Sequence, residues 1–527
     1  AGAGTDIAVF SGNYADYTFS QSESYVSILT NNTSSQAVSL YGVEQLQFDD
    51  VLVNFITTGS GEFQVNTTSP NAPAYPSITA LNDGGFVITW HTDGQGYGIV
   101  GQIYDASGSN VGSEFLVNTT RASNQYYPVI TTLNDGGFVI TWTSFGQDEA
   151  GGTGVYAQIY NASGTRIGSE FQVNTYTVSD QDETDITALN DGGFVITWRS
   201  KGQDGDNYGV YAQRYDDAGT KVGSEFRVNT YTTSGHHNPA ITTLNDGGFV
   251  ITWQSSGADT VAWDVYAQIY NASGASVGSE FLVNSYTASH QYNPVITTLN
   301  DGGFVIAWES KGQDGDAVRD WGVYVQIYDA SGARVGDEFL VNTYTSSYHN
   351  YQSITALNDG GFVIAWYTRG EDGSDPGVYA QIYDASGNTV GTEFNVNPDT
   401  EYYYNTPSIT TLDDGDFVIT WFLTNVYAQR YVLEGDTFTT DISSIYGGEG
   451  NDSILGTDGN DEMWGGKGND TLSGGSGNDY LDGEAGDDVI DGEAGDDDIW
   501  GGEGNDTING GSGNDYLDGL EGDDVID

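Results

Sequence analysis

The chain contains no cysteine, one methionine, nine prolines and only 13 Lys and Arg among 527 residues. Without cysteine it can form neither disulfides nor thiolate metal sites, which fits an extracellular bacterial protein stabilised by metal. Thirteen cations against 75 Asp and Glu leave a formal net charge of −62, which argues against binding nucleic acid or bare anionic lipid. No basic-then-apolar segment opens the sequence, and no apolar run is long enough to span a bilayer. Membrane insertion is therefore not expected, and any secretion signal should lie outside the chain or need no amino-terminal leader. Catalytic signatures are missing as well. The five histidines, His91, His236, His237, His290 and His349, form no H-E-x-x-H, and there is no G-x-S-x-G, cysteine nucleophile or P-loop. Near-identical repeats also lack the asymmetry of a catalytic centre. The sequence reads as a non-enzyme, with no catalytic or organic-cofactor residues.

What is present is repetition. Residues 447–527 divide into nine blocks of nine, each a version of G-G-x-G-x-D-x-U-x with U large and apolar. Position six is Asp452, Asp461, Asp470, Asp479, Asp488, Asp497, Asp506, Asp515 and Asp524; position eight runs from Ile454 to Ile526 and is always apolar. Glycines allow positive φ and close backbone approach, so G-G-x-G-x-D reads as a tight turn. The x-U-x that follows reads as a short strand with its centre pointing inward. Two turns and two strands make a coil of 18 residues around a thin core. The segment carries 24 Asp and Glu against the single Lys467, so without counter-ions it should repel itself and stay unfolded.

This pattern resembles the calcium-binding nonapeptide of RTX proteins, which folds as a parallel β-roll. The resemblance implies that turns two blocks apart share each Ca²⁺ through the position-six carboxylates and main-chain carbonyls, both hard oxygen ligands. About seven ions, each contributing on the order of 1 kcal/mol at millimolar external calcium, would together fold the roll. It also implies secretion, commonly by the type I route, and an extracellular or bacterial cell-surface location. Residues 1–60 (AVFSG, DYT, GVEQLQF) resemble a small β-rich module found beside RTX blocks, a structural cap or spacer; 432–446 reads as a linker.

Between them, residues 61–431 repeat with a period of 52 to 58. F-V-I-T/A-W ends at Trp90, Trp142, Trp198, Trp253, Trp308, Trp366 and Trp421, and E-F-x-V-N places a Phe at Phe63, Phe115, Phe171, Phe226, Phe281, Phe339 and Phe394. A V-Y-A-Q-I-Y strand and an Ile-Thr-x-Leu strand before each N-D-G-G hairpin complete four strands per unit. Seven such units predict a β-propeller. The array opens with a spare strand, Glu62–Asn66, and ends at Tyr431 without one, so the first strand should close the seventh blade and remove two open sheet edges. The fold class is therefore all-β: a small amino-terminal module, a seven-bladed propeller and a calcium β-roll.

Spacing picks out a face. Phe to Trp is always 27 residues and Tyr to the next Phe always 11, whereas Trp to Tyr varies from 10 to 20. Insertions thus sit between second and third strands, on the same face as the links between blades. Variable aromatic loops there suggest a recognition surface, with Tyr126, Tyr127, Trp263, Trp321, Tyr348, Tyr351, Tyr402 and Tyr403 as candidate ligand contacts; the alternative is that these rings shield blade tops from water. The acidic loops Gly202–Asp206 and Gly312–Asp316 read as calcium loops or as solvated hairpin tips. Ala1–Val9 is a worn nonapeptide in phase with the block after Asp527, which points to other copies or neighbouring repeats as head-to-tail partners. The expected function is a calcium-rigidified building block of a large adhesin or extracellular filament; the alternative is a propeller lectin binding surface glycans.

Overall fold

In a computed structural model the chain forms two compact units, Ser60–Tyr431 and Ala1–Gly59 together with Val432–Asp527. The structure describes residues 63–66, 73–92, 98–120, 124–147, 152–256, 262–313, 321–343, 348–369, 376–397, 406–423, 425–432 and 462–526 except 476, 496 and 523, with the strand backbones at 7–9, 17–22, 26–31, 37–41, 45–47, 52–54, 57–58, 445–449 and 453–455.

The first unit is a seven-bladed propeller. Blade 3 shows the pattern: Gln181–Ala188, Phe194–Lys201, Tyr208–Tyr215 and Lys221–Arg227 pair antiparallel in that order from the axis outward. First strands of neighbouring blades lie side by side in a closed circle, the seventh beside the first. The second strand of each blade is buried along nearly its whole length, and all seven strand-end tryptophans are 0–1% exposed. Clusters such as Val139, Val155, Phe194, Ile196 and Trp198 take residues from two adjacent blades, so the core lies between blades. In each N-D-G-G turn a side chain on the second Gly would strike a main-chain carbonyl; at Gly193 a Cβ would fall 2.2 Å from the Tyr215 carbonyl oxygen.

Closure is as the sequence predicts. Phe63–Gln64 pairs with Ala428 and Tyr427 of the seventh blade. The Val65 N–H donates to the Val426 carbonyl at 2.8 Å, and the Val426 N–H donates to Asn66 Oδ1 at 2.7 Å. In blades 1 to 6 the matching bond is internal, for example Val155 N–H to Asn174 Oδ1 at 2.9 Å, so Asn66 does across the seam what Asn174 does within a blade.

The repeated Gln of V-Y-A-Q-I-Y explains how the outer edges are blunted. Each outer strand of blades 1 to 6 carries a glycine at left-handed φ (66–73°), such as Gly168, and the ladder slips register beside it. The buried Gln158 amide donates into that gap, to the carbonyls of Ile159 at 2.9 Å and Ile167 at 3.0 Å. The bulge bends the edge away from strand addition, and Gln satisfies the carbonyls it frees.

In the second unit, two parallel sheets face each other with an 18-residue repeat. One holds Ile445–Glu449, Glu462–Lys467, Tyr480–Ala485, Asp498–Glu503 and Tyr516–Glu521; the other holds Ser453–Leu455, Thr471–Ser473, Val489–Asp491, Thr507–Asn509 and Val525–Ile526. Met463, Leu472, Leu481, Ile490, Ile499 and Ile508 form the interior at 0–1% exposure, the inward position-eight residues of the sequence pattern. Two strand lengths alternate, five or six residues against two or three, because on one side the G-G-x of the next block stays extended. In the amino-terminal segment, Ile7–Val9 pairs with Gln45–Gln47 and lies beside Ser453–Leu455, and Ala37–Tyr41 lies beside Ile445–Glu449. That segment sits against the start of its own chain's roll.

Candidate functional site

Two places carry chemistry. In the roll, the position-six aspartates from Asp488 to Asp524 are each tied to the preceding coil. Asp470 N–H donates to Asp488 Oδ1 at 2.7 Å, Asp479 N–H to Asp497 Oδ1 at 2.9 Å, Asp488 N–H to Asp506 Oδ1 at 2.8 Å, and Asp497 and Asp506 N–H to Asp515 and Asp524 Oδ1 at 3.0 Å each. The second oxygen, Oδ2, of Asp488 and of Asp506 is buried and receives no hydrogen bond among the described residues. A Cβ built on Gly483 would fall 2.4 Å from Asp488 Oδ2 and 2.5 Å from the Gly501 carbonyl oxygen. A carboxylate oxygen and a carbonyl oxygen from the next coil therefore converge on a space that only glycine leaves open. Burial, with Asp470, Asp506 and Asp487 adding repulsion, pushes the Asp488 carboxyl up to about 7 against the pull of the Asp470 N–H; burial likewise raises Asp506. Stacked buried carboxylates with an unmet oxygen fit a hard divalent cation. Among the described residues no three His, Asp or Glu converge on one point, so an ion here would draw on main-chain carbonyls as well. Asp452 and Asp461 lie outside the described residues.

The second place is the mouth of the propeller's central funnel, on the face where the sequence puts its insertions. The first strand of blades 1 to 6 bulges there, and the bulged residue has a left-handed φ of 48–55° although none is glycine: Tyr75, Tyr127, Glu183, Asn238, Asn293 and Tyr351. Such backbone costs on the order of 1–3 kcal/mol each and gathers at functional sites. At three of these bulges the residue after the tryptophan of the preceding blade accepts the freed N–H. His91 Nδ1 takes it from Tyr127 at 3.4 Å, Gln254 Oε1 from Asn293 at 2.7 Å and Glu309 Oε1 from Tyr351 at 3.0 Å. Blade 3 has Arg199 in that position, which has no acceptor, and there Glu183 Oε2 takes the Asn238 N–H at 2.8 Å.

Arg199 is held by three partners. It is bidentate to Asp182 at 2.8 and 3.0 Å, lies 2.7 Å from Glu183 and donates to His237 Nδ1. Burial, then Arg199 and His236, lowers His237 to about 3, so it stays neutral and can accept that bond. Burial raises Glu183 to about 7 against the pull of Arg199, and raises Glu309 to about 7 against its bonds from Asn293 and Tyr351. Below them Asp185 accepts the N–H groups of Ile241 at 2.8 Å and Ile186 at 2.9 Å and is raised by burial to about 6.

Aromatic rings line the mouth in a continuous rail over blades 3 to 5. Tyr208 and His237 lie 4.9 Å apart, His237 and Trp263 5.1 Å, Trp263 and Tyr292 5.9 Å, and Tyr292 and Trp321 5.4 Å. The Trp321 main chain forms an isolated β-bridge with Tyr348 of blade 6, over whose ring Arg369 lies at 4.6 Å. A second group joins Tyr75, His91, Tyr126 and Tyr127, with Tyr75 and Tyr127 4.6 Å apart. Of the rings singled out from the sequence, Tyr126 and Tyr127 thus fall in one group and Trp263 and Trp321 in the other, while Tyr348 adjoins Trp321 through the main chain and Tyr351 lies at a bulge. Tyr402 and Tyr403 lie outside the described residues. Sequence reasoning missed Tyr208, Tyr292, Arg199, Glu183 and Glu309. The signal was available: aligned on tryptophan, the next residue reads His91, Thr143, Arg199, Gln254, Glu309, Tyr367 and Phe422 after an almost unchanging F-V-I-x-W.

Residues 441–472, 464–499, 473–508 and 500–527 match the model of the RTX calcium-binding nonapeptide repeat, in four copies. No curated protein matches the chain at a significant level. Among solved structures, an α-L-arabinanase of Penicillium chrysogenum complexed with arabinobiose is 14% identical, with a TM-score of 0.45 over 73% of this chain and 99% of that one. The GH93 α-L-arabinofuranosidase of Fusarium graminearum is 11% identical, with a TM-score of 0.44 over 71% of this chain and 97% of its own. A Hadza microbial sialidase is 10% identical, with a TM-score of 0.41 over 78% and 74%. Values this low carry no argument about substrate or activity. The carboxy-terminal unit therefore carries RTX calcium-binding nonapeptide repeats, of a type found in secreted proteins, beside a seven-bladed β-propeller.

Proposed function

We propose that the protein is a calcium-folded adhesive module of a secreted, surface-associated protein, and that its propeller binds a glycan at the funnel mouth. One observation carries this reading. The blades are near copies everywhere except at the mouth, where each supplies a different side chain and the rings of Tyr208, His237, Trp263, Tyr292 and Trp321 form a continuous rail. A core needs no such variety, whereas sugar faces stack on aromatic rings flanked by polar groups. We assign no catalytic role, because the acids there are engaged structurally: Glu183, Asp185 and Glu309 hold main-chain N–H groups and Asp182 holds Arg199. In the roll we assign Asp470, Asp479, Asp488, Asp497, Asp506, Asp515 and Asp524, with glycine carbonyls, to Ca²⁺.

The second reading is a purely structural building block, in which residues 1–59 and 432–527 form one compact unit. A glycan array followed by titration of the best ligand separates the two readings. Replacing Trp263 and Tyr292 by Ala should weaken binding at least tenfold while leaving thermal unfolding of the propeller near its original midpoint. An array without hits, or affinity untouched by both replacements, sinks the glycan reading and leaves the structural one.

A further inference from the structure

The roll has two outward faces of different chemistry. On one, the residues in register are Thr471, Val489 and Thr507 beside Ser473, Asp491 and Asn509, with no aromatic ring among them. On the other, two columns run along the roll axis. Tyr480, Asp498 and Tyr516 make one, and Trp464, Asp482, Trp500 and Asp518 make the second. Rings and carboxyls alternate down each column and are offset by one coil between columns.

Each tryptophan therefore meets a tyrosine on the diagonal, and the two couples have nearly the same geometry. Trp464 and Tyr480 lie 5.6 Å apart at 47°, Trp500 and Tyr516 5.3 Å apart at 48°. The couples are 36 residues apart (500 − 464), which is two coils. Strands in a sheet are about 4.8 Å apart, so the couples recur every ~9.6 Å along a flat surface. The interior is filled by Met463, Leu481 and Ile499, the opposite face manages without rings, and Tyr516 stays 50% exposed.

We infer that this face is a platform for an extended β-1,4-linked amino-sugar polymer, a ligand class different from a glycan held in the propeller mouth. In such a chain every second sugar presents the same face, and its disaccharide repeat is close to the two-coil spacing of the Trp–Tyr couples. Pyranose C–H faces stack on aromatic rings. The protonated amines between them meet Asp482, Asp498 and Asp518, and a cationic polymer complements a protein of net charge −62. A uronate polymer would be repelled by the same carboxylates, and a flat surface suits a polymer rather than a terminal sugar.

The test uses the full chain in millimolar calcium, with depletion isotherms on insoluble chitosan, on cellulose, and on chitosan with polygalacturonate in solution. Retention on chitosan is expected, weakened at least tenfold by Trp464→Ala with Trp500→Ala and several-fold by Asp482→Asn with Asp518→Asn. Trp263→Ala, in the propeller, should leave it unchanged, which keeps the two sugar sites distinguishable. Hydrogen exchange over residues 462–526 identifies variants whose roll still folds with calcium. Absence of retention, equal retention on cellulose, or full retention by a folded Trp464→Ala, Trp500→Ala protein would each overturn the assignment.

Discussion

At the position after the blade tryptophan, what three blades share is an acceptor for a main-chain N–H in the first strand of the next blade. His91, Gln254 and Glu309 are chemically different and make the same bond. Glu309 is the costly version, since burial raises it from 4.5 to about 7. Its contribution to stability is fully present below pH 4.5 and is lost as pH rises through about 7. Glu309→Gln keeps the acceptor, as Gln254 shows, and should stabilise the propeller at pH 8 by on the order of 1–3 kcal/mol, an advantage that vanishes by pH 4.5. His236 and His237, lowered to about 4 and 3, act in the opposite sense: their contribution is present above 6.5 and lost as pH falls through those values. The difference between wild type and variant across a pH series of thermal melts isolates Glu309; a constant difference would show that it does not titrate in this range. Little of this was legible in advance. The left-handed residues are Tyr, Asn and Glu rather than Gly, and nothing in a single strand announces that its N–H needs a partner from the blade before.

At the scale of elements the sequence was far more open. A constant 27-residue step from Phe to Trp fixes two strands and the crossover between blades, and the spare Glu62–Asn66 strand predicted the seam, because an unpaired edge on either side of the ring is unfavourable. The bulges were not visible, since the glycine in x-V-G-S-E-F reads only as a weak point in a strand and the repeated Gln reads as polar surface. Asn66 and Asn174 make the same bond, but only Asn66 bridges parts of the chain 360 residues apart. Asn174→Ala should cost about 1–2 kcal/mol for an unmet buried N–H. Asn66→Ala should cost at least as much and in addition promote dimers through the loosened edge, and deletion of residues 61–67 should do so more strongly. Light scattering beside thermal melts checks this, and a monomeric deletion variant with an unchanged melt would refute seam closure as a source of stability.

For the whole molecule, the two units should respond to calcium differently. The propeller core is built of inter-blade layers of Trp, Phe and Tyr, whereas the roll has, among the described residues, six well-buried apolar side chains and carboxylates stacked every coil. Removing calcium from the full chain should abolish exchange protection over residues 462–526 and leave 125–256 protected. Asp488→Asn should raise the calcium midpoint several-fold, roughly 1 kcal/mol. Asp491→Asn should shift it far less, since among the described residues the Asp491 carboxylate accepts only from Glu493 N–H and the Asn509 amide, both at the surface. Protection of the roll that survives a chelator would contradict the ion-dependent fold.

The seam also has a consequence in time. Phe63–Asn66 leave the ribosome ahead of the rest of the propeller, and their partner strand follows 360 residues later, about 20–70 s at 5–20 residues per second. Until then the ring stands open with an unmatched strand at each end, the circumstance in which neighbouring chains exchange strands. The last bond to form in this propeller is thus made by one of its first residues, and crowding of nascent copies, more than heat, is the hazard its folding has to survive.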